Sequence, residues 1–537
     1  MARQLFGIFV ACMQKIIIGT RGSDLALWQA NYTKDLLEKM GCAVELKIIS
    51  TEGDRSQQWN TSFDKLEGKG FFTKEIEEAL LKKEIDLAVH SHKDLPTESP
   101  AGLIIAGVSE REDPGELLLI RKESVDEKQK FNLKQKAVLG TSSARRKAQF
   151  LAFRDDVELK DLRGNVPTRV KKLREGQYDA ILIACAGVER LNLDLDGLHV
   201  EKIGPKEFIP APAQGVLAWQ IREGDQGLEN VIAKINREDV QTRIGIERRV
   251  LNLFEGGCHM PLGAYCEMDT DEHDKPVFKV WVSKADAWDK PPVQLYFESA
   301  YAHDLPEKIV EKIKTIAPRK VFVTKNLREK DLLNTSLTRL GFTLTGRSLI
   351  EFKEIKFEAL PACSWIFFSS KHAVKYFFRQ KPQLDKVKFG CISKQTAAEL
   401  RQFGYRADFI GQSTDTKLIG KQFSSVAGNA KVLFPIAKES MQSIQQQLVK
   451  KENAVNLPVY QTLKHPQVID ADTQIVVFTS PSHVDAFFEK NKWQAHYQAV
   501  AMGEATEKAL QRKGVKKCAR PASFDDLGLL QSVLSLS

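Results

Sequence analysis

The chain has 537 residues, too many for one hydrophobic core, so several domains are expected. Its 42% hydrophobic and 28% charged residues are ordinary for a soluble globular protein, and no run of eighteen apolar residues exists to span a membrane. The net charge of +9 is uneven: residues 319–537 hold 33 Lys and Arg against 19 Asp and Glu, a balance of +14 that leaves −5 on the rest. The basic residues of that half are dispersed and lack aromatic interleaving, which counts against nucleic acid and favours an acidic small molecule.

The opening "MARQLFGIFVACM" has one arginine and an apolar run of about eight residues, at the bottom of the range for a secretion signal. Residues 1–13 are read as an extension or an alternative start. The eight cysteines show no CxxC spacing, which argues against a zinc site and a disulfide framework and for a reducing, cytoplasmic setting.

From Lys15 onward strands and helices alternate. "KIIIGTRGSDLALWQA" predicts a buried strand, a turn and a helix capped by Ser23 or Asp24. "FFTKEIEEALLKKEIDLAVHSHKDLP" predicts a helix with Ile76, Ala79 and Leu80 on one face, then a strand, then a polar loop. This alternation implies parallel sheets with covered faces, and ligands bind at the carboxyl ends of such strands.

Several of those loops are basic. "AVLGTSSARRKAQFL" places Arg145 and Arg146 in the first turn of a helix, and "LRGNVPTRVKKLREG" places Arg169 and Lys171 in the first turns of another. Cations there oppose the helix dipole, an arrangement that makes sense if an anion docks on each helix start. Arg21 and Arg163 occupy equivalent strand-to-helix turns. Solvated or salt-bridged side chains are the alternative reading for each arginine. In "AVHSHKDLP", His90 and His92 have no third ligand at metal spacing, so no metal is expected. Asp94, in a loop lined by arginines, can stabilise positive charge on a substrate nitrogen, or else cap the turn before Pro96.

"EGGCHMPLG" follows the helical run "IERRVLNLF", which Gly256 and Gly257 end; with Pro261 beyond, Cys258 falls on a short, stiff loop. It is either a presented thiol or a small hydrophobe under the loop. The last 219 residues contain an internal repeat. "IFFSSKHAVKYFF" from Ile366 aligns with "VVFTSPSHVDAFF" from Val476, and "ISKQTAAELRQFG" from Ile392 with "MGEATEKALQRKG" from Met502, at one offset of 110. Two related α/β units are implied, each with a Ser/Thr-ended strand running into a helix.

The motifs "GTRGSDLALWQA", "GKGFFTKEIE", "AVHSHKDLP", "GTSSARRKAQ", "LRGNVPTR", "PAPAQGVLA" and "GGCHMPLG" stand in the order seen in the porphobilinogen deaminases, also called hydroxymethylbilane synthases. Residues 14–318 closely resemble that family. The resemblance implies that Cys258 holds a dipyrromethane cofactor by a thioether and that Asp94 is catalytic. It further implies that Lys93, Ser143, Arg145 and Arg146, with Asp94, hold the cofactor. Arg21, Ser23, Arg163, Asn165, Arg169, Arg190 and Gln214 are expected to bind substrate.

"IFFSSKHAV", "LPVYQT", "VVFTSPSHV" and "MGEATEKAL" make residues 319–537 similar to uroporphyrinogen-III synthase. Ser393 stands where that family often has the glycine seen at Gly503. The resemblance implies substrate binding by Ser370, Thr479, Ser480 and Thr506 and a catalytic Tyr460, whose other reading is a strand tyrosine packed in a core.

The implied fold is α/β throughout. Two periplasmic-binding-protein-like lobes are expected, residues 14–115 with 215–236 and residues 116–214. A small α+β cysteine-bearing domain spans 237–318. Two flavodoxin-like synthase domains follow, 319–354 with 463–537 and the inserted 355–462. The implied function is haem-pathway biosynthesis by a monomer: four porphobilinogen units become hydroxymethylbilane with release of ammonia, and the bilane then closes to uroporphyrinogen III with inversion of the last ring. Nucleic acid, membrane and metal have no part in it. Two alternatives stand beside this reading: a non-catalytic two-lobed anion receptor, and a second half kept only as a scaffold.

Overall fold

The computed structural model describes residues 15–51, 73–254, 260–413, 415–440 and 442–537. The extension at 1–13 and Cys258 lie outside the described residues. The chain divides into two compact units, one formed mainly by Met1–Pro318 and the other mainly by Arg319–Leu536. No helix among the described residues is long and apolar enough to cross a membrane.

The first unit is mixed α/β, with three sheets among its described residues. One has the strand order Val44–Ile48, Ile16–Thr20, Leu87–Ser91, Leu217–Arg222, Leu103–Val108. Ile16, Ile18, Leu37, Leu87, Val89 and Trp219 form its core. Trp219 is fully buried and satisfies its only polar atom by donating from Nε1 to Thr33 Oγ1 (3.0 Å). After Val108 the chain builds the second sheet, in the order Glu158–Lys160, Val138–Gly140, Ala180–Ala184, Glu116–Arg121, Leu198–Ile203, and only then returns with Leu217–Arg222.

That return corrects the expectation of wholly parallel sheets. Ile16–Thr20 runs parallel to both its neighbours, but Leu217–Arg222 lies antiparallel to Leu87–Ser91 and to Leu103–Val108. Glu116–Arg121 is likewise antiparallel to its two neighbours. Both strands arrive from the other sheet instead of from a helix crossing their own, so their direction is reversed. The third sheet is an antiparallel meander of Leu262–Thr270, Pro276–Lys284 and Val293–Ser299, packed on helices Glu238–Leu253 and Leu305–Thr315 through Val250, Leu262, Val280 and Ile309.

In the second unit the 110-residue offset recurs element by element. Strand Trp365–Phe368 corresponds to Ile475–Phe478, helix Lys371–Phe378 to Pro481–Lys490, strand Lys388–Cys391 to Gln498–Ala501, and helix Lys394–Gln402 to Glu504–Arg512. Each repeat sits in its own sheet: Thr343–Gly346, Lys320–Val323, Ile475–Phe478, Gln498–Ala501, Cys518–Ala519 in one, and Ile350–Glu354, Ala454–Lys464, Val432–Ala437, Trp365–Phe368, Lys388–Cys391, Phe409–Ile410 in the other.

Candidate active site

The loops at the carboxyl ends of the strands in the first two sheets converge on a cavity of about 450 Å³. Arg21 and Ser23 enter it from the turn after Ile16–Thr20, where Ser23 caps helix Asp24–Lys39 by accepting from the Ala26 N–H. Lys93 and Asp94 enter from the single 3₁₀ turn His92–Asp94 that follows Leu87–Ser91. Ser143, Arg145 and Arg146 come from the start of helix Ala144–Phe153, Asn165 and Arg169 from helix Val166–Arg174 and its cap, Arg190 from helix Cys185–Arg190, and Gln214 from the loop before Leu217–Arg222. Arg163 is not among the lining residues. Its backbone carbonyl accepts from Lys172 Nζ (3.1 Å). Leu251 and Met260, on either side of the segment that contains Cys258, also line the cavity.

The arginines fall into two classes. Arg145 Nη2 and Arg146 Nη2 each donate to one oxygen of Glu116, both at 2.7 Å. Arg145 also donates to the Ile209 carbonyl (2.9 Å) and Arg146 to that of Leu182 (3.2 Å). Glu116 is fully buried; burial pushes its carboxyl up, but the guanidinium groups of Arg146 and Arg145 outweigh that and hold it down at about 2. The anion expected on this helix start is therefore supplied first by the protein itself. Lys171 is also corrected: in a nine-residue helix it falls in the last turn, where a cation suits the dipole.

Arg169 and Arg190 are different. Arg169 Nε donates to Gly164 O (2.7 Å), and burial, together with the charge on Arg146, lowers its guanidinium to about 10 although Asp94 pulls the other way. Arg190 Nη2 donates to Gly215 O (2.9 Å), and its guanidinium lies over the Trp28 ring. Lys93 donates to Gln214 Oε1 (3.4 Å); burial brings its ammonium down to about 8, opposed by Asp94. Gln214 Nε2 in turn donates to Pro114 O (2.8 Å) and Glu116 Oε1 (3.2 Å). Asp94 is an exposed carboxylate beside this cationic array, and Asp24, also exposed, lines the cavity as well.

Reading the sequence missed Glu116. Its signal was present in "GELLLI", where a carboxylate opens an apolar strand: an acid that deep needs cationic partners. It also missed Glu247, fully buried on helix Glu238–Leu253, which accepts from Arg111 Nη1 (2.6 Å) and from the backbone N–H groups of Ala213 and Cys266. Glu247 thereby ties the Gln214 loop to the meander sheet. His90 contacts Gln220 Oε1 through Nε2 (3.1 Å), and burial lowers its imidazole to about 4.

Comparison with known proteins follows the same division of the chain. Residues 16–230 match the family model described as porphobilinogen deaminase, dipyromethane cofactor binding domain. A porphobilinogen deaminase of Oceanobacillus iheyensis is 44% identical over 262 residues, which are 48% of this chain and 82% of that protein. The chain belongs to the porphobilinogen deaminase family. The Sulfurimonas denitrificans deaminase is 45% identical over 255 residues, 47% of this chain and 79% of that protein. Residues 331–531 match the model for uroporphyrinogen-III synthase HemD, so the deaminase is fused to a synthase. A solved uroporphyrinogen-III synthetase of Helicobacter pylori aligns at 20% identity with a TM-score of 0.32, covering 41% of this chain and all of that one.

The fit of the deaminase cavity to the family's dipyrromethane can be tested on its donors. Arg146 Nε and Arg190 Nε are buried N–H groups with no acceptor among the described residues, and both side chains line the cavity. Unmet donors among buried cations suit a group rich in carboxylates.

In the synthase half, Ser370 and Ser480 cap equivalent helices by accepting from the N–H groups of Ala373 and His483. Tyr460 is stacked on Tyr376 and meets Phe352 edge-on, while its hydroxyl lies 3.2 Å from Ser370 Oγ. It is thus core-packed and also aimed at a predicted binding loop. Thr479 lies beside Ser480, whereas Thr506 is buried in the first turn of its helix. Ser393 caps its helix with its hydroxyl, and the equivalent Gly503 makes no side-chain cap.

Proposed function

We propose that the deaminase half binds porphobilinogen and the growing bilane in the 450 Å³ cavity through Arg21, Ser23, Asn165, Arg169, Arg190 and Gln214, with Asp94 as the catalytic carboxylate. The observation that carries this reading is the placement of Asp94 at the rim of a cavity also lined by Arg21, Lys93, Arg145, Arg146, Arg169 and Arg190, with Asp24 as its other carboxylate. Each porphobilinogen brings two carboxylates, which guanidinium forks orient and neutralise. Asp94 offers fixed negative charge to the cation that develops on the substrate's pyrrole nitrogen as the C–N bond breaks and ammonia leaves. Lys93, Ser143, Arg145 and Arg146 would hold the dipyrromethane. When bound, that group supplies the anchored pyrrole to which new rings are joined, and we assign its thioether to Cys258, whose flanking residues Leu251 and Met260 line the cavity.

We take the first unit as domains 14–115 with 215–236, 116–214 and 237–318, a division supported by which strands share each sheet, and a two-lobed resemblance to periplasmic binding proteins would suit a cavity between the first two. The synthase half closes the bilane to uroporphyrinogen III, with Ser370, Thr479, Ser480 and Thr506 as binding groups and Tyr460 as the catalytic candidate, between flavodoxin-like domains 319–354 with 463–537 and 355–462. We assign the protein to the cytoplasm as a monomer acting on small molecules. The anion-receptor reading is disfavoured by the family to which the chain belongs.

Intact-protein mass spectrometry together with isomer analysis of the product tests this. The active protein should weigh one covalently held dipyrrole more than its sequence, and porphobilinogen should emerge mainly as the type III ring. An unmodified mass in turning-over protein refutes the cofactor assignment, and a type I product refutes the second activity. Arg169→Ala should raise KM for porphobilinogen by roughly tenfold to a hundredfold, the loss of one hydrogen bond to a charged group, while leaving the denaturation midpoint near that of the parent chain. A large fall in the midpoint with unchanged KM would assign Arg169 to structure.

A further inference from the structure

The repeat that relates Ser370 to Ser480 changes character three residues into the helix, where Ala373 is matched by His483. His483 is buried and packed under the loop that carries Thr479 and Ser480. Its Nδ1 lies 2.9 Å from Ser480 Oγ and 3.0 Å from Thr479 Oγ1, and its Nε2 lies 3.3 Å from Ser348 Oγ.

The proton positions follow from the partners. Ser348 spends its one hydroxyl proton on the Ile350 carbonyl (2.7 Å), so toward the imidazole it accepts, and Nε2 carries the proton. Nδ1 is then bare and accepts the Ser480 hydroxyl proton, Thr479 having the Thr324 carbonyl as an acceptor for its own (3.3 Å), while Ser480 Oγ accepts from the His483 N–H (3.4 Å). Burial brings the imidazole down to about 4, which keeps it neutral near pH 7. At the other end, Ser348 stands just ahead of strand Ile350–Glu354, which belongs to the sheet of the first repeat, whereas Ser480 follows strand Ile475–Phe478 of the second. The imidazole therefore bridges the Ser480 loop and the chain passing between the two sheets. In the first repeat the capping serine meets the phenol of Tyr460 instead.

We infer that His483 is a positioning residue of the ring-closing reaction, setting the direction of the Ser480 hydroxyl and the conformation of its loop, and through them the affinity for the bilane. This rests on the reading that the Ser480 loop binds the bilane.

The test uses the full chain and preformed hydroxymethylbilane, with KM, kcat and the thermal midpoint measured for His483→Ala, His483→Asn, His483→Gln and Ser480→Ala. Asn places Oδ1 where Nδ1 stood and so restores an acceptor for Ser480. Gln places Nε2 where the ring Nε2 stood and restores only the donor to Ser348. His483→Ala should raise KM by about tenfold, the worth of one oriented hydrogen bond, with kcat within about twofold because no transition-state contact is lost. His483→Asn should recover most of that loss and His483→Gln little of it. Equal KM in the Asn and Gln variants overturns the inference, and that comparison stands even if the Ala variant does not fold. If Ser480→Ala leaves KM unchanged, the assignment of the loop to bilane binding is what fails. If Ser480→Ala raises KM while His483→Ala does not, the role of His483 alone is refuted.

Discussion

Asp94→Asn should fold, keep its covalent dipyrrole and turn over porphobilinogen roughly 10²–10³ times more slowly, the usual effect of removing one preorganised electrostatic group from a transition state. The amide has nearly the shape of the carboxylate, so the 3₁₀ turn His92–Asp94 and its backbone bond from the Leu95 N–H to His92 O are kept. What disappears is the negative charge. Asp94 opposes the falling proton affinity of both Lys93 and Arg169, so it lies within electrostatic reach of groups on two different walls of the cavity. A cation forming on substrate in that space meets Lys93, Arg169 and Arg190 as well as the Glu116-paired Arg145 and Arg146, and of the two lining carboxylates, Asp24 and Asp94, it is Asp94 that acts on Lys93 and Arg169. Steady-state turnover with intact mass as a control decides the matter. Turnover within threefold of the parent chain would remove Asp94 from the mechanism.

Glu116→Gln should destabilise the first unit by roughly 3–5 kcal/mol, because two buried guanidinium groups lose their counter-ion at once. Arg145→Ala breaks the same buried pairing from the other side and should likewise behave as a folding defect. The pH dependence follows in sign. The carboxyl is held at about 2 in the folded chain, below its value when unfolded. Its contribution is therefore complete above the ordinary carboxylate range and drains away as pH falls from that range toward 2. Urea unfolding of the parent and of Glu116→Gln should differ most at neutral pH and converge in acid. A difference below about 1 kcal/mol at pH 7 would mean that water or another anion satisfies the two arginines.

How far the site could be read from sequence depended on range. Ser23 as a cap, Ile76 and Leu80 as a buried stripe, and the 110-residue repeat were all readable because each rests on neighbours within one or two turns or on exact register. The convergence of Arg21, Asp94, Arg169 and Gln214 was readable only through the resemblance, since nothing local brings residues nearly two hundred positions apart together. The pairing of Arg145 and Arg146 with Glu116 was not read, because it is made across two elements about thirty residues apart in a direction set by tertiary packing. For the same reason the strand Leu217–Arg222 looked like one more parallel strand: alternation of apolar residues reports burial, and it says nothing about which way the chain is travelling.

The position of that strand bears on how the protein is made. As the chain leaves the ribosome, Leu87–Ser91 and Leu103–Val108 emerge with the gap between them unfilled, and more than a hundred further residues, including the whole second sheet, must be synthesised before Leu217–Arg222 can fill it. Until then two strand edges and the socket for Trp219 are open, which is the state most prone to wrong pairing between nascent chains. The second sheet, whose strands all lie within residues 116–203, can close on its own meanwhile. Folding from the amino terminus is thus out of order with synthesis, and slowing translation once residue 108 has cleared the ribosome should cost more soluble protein than slowing it once residue 222 has cleared it.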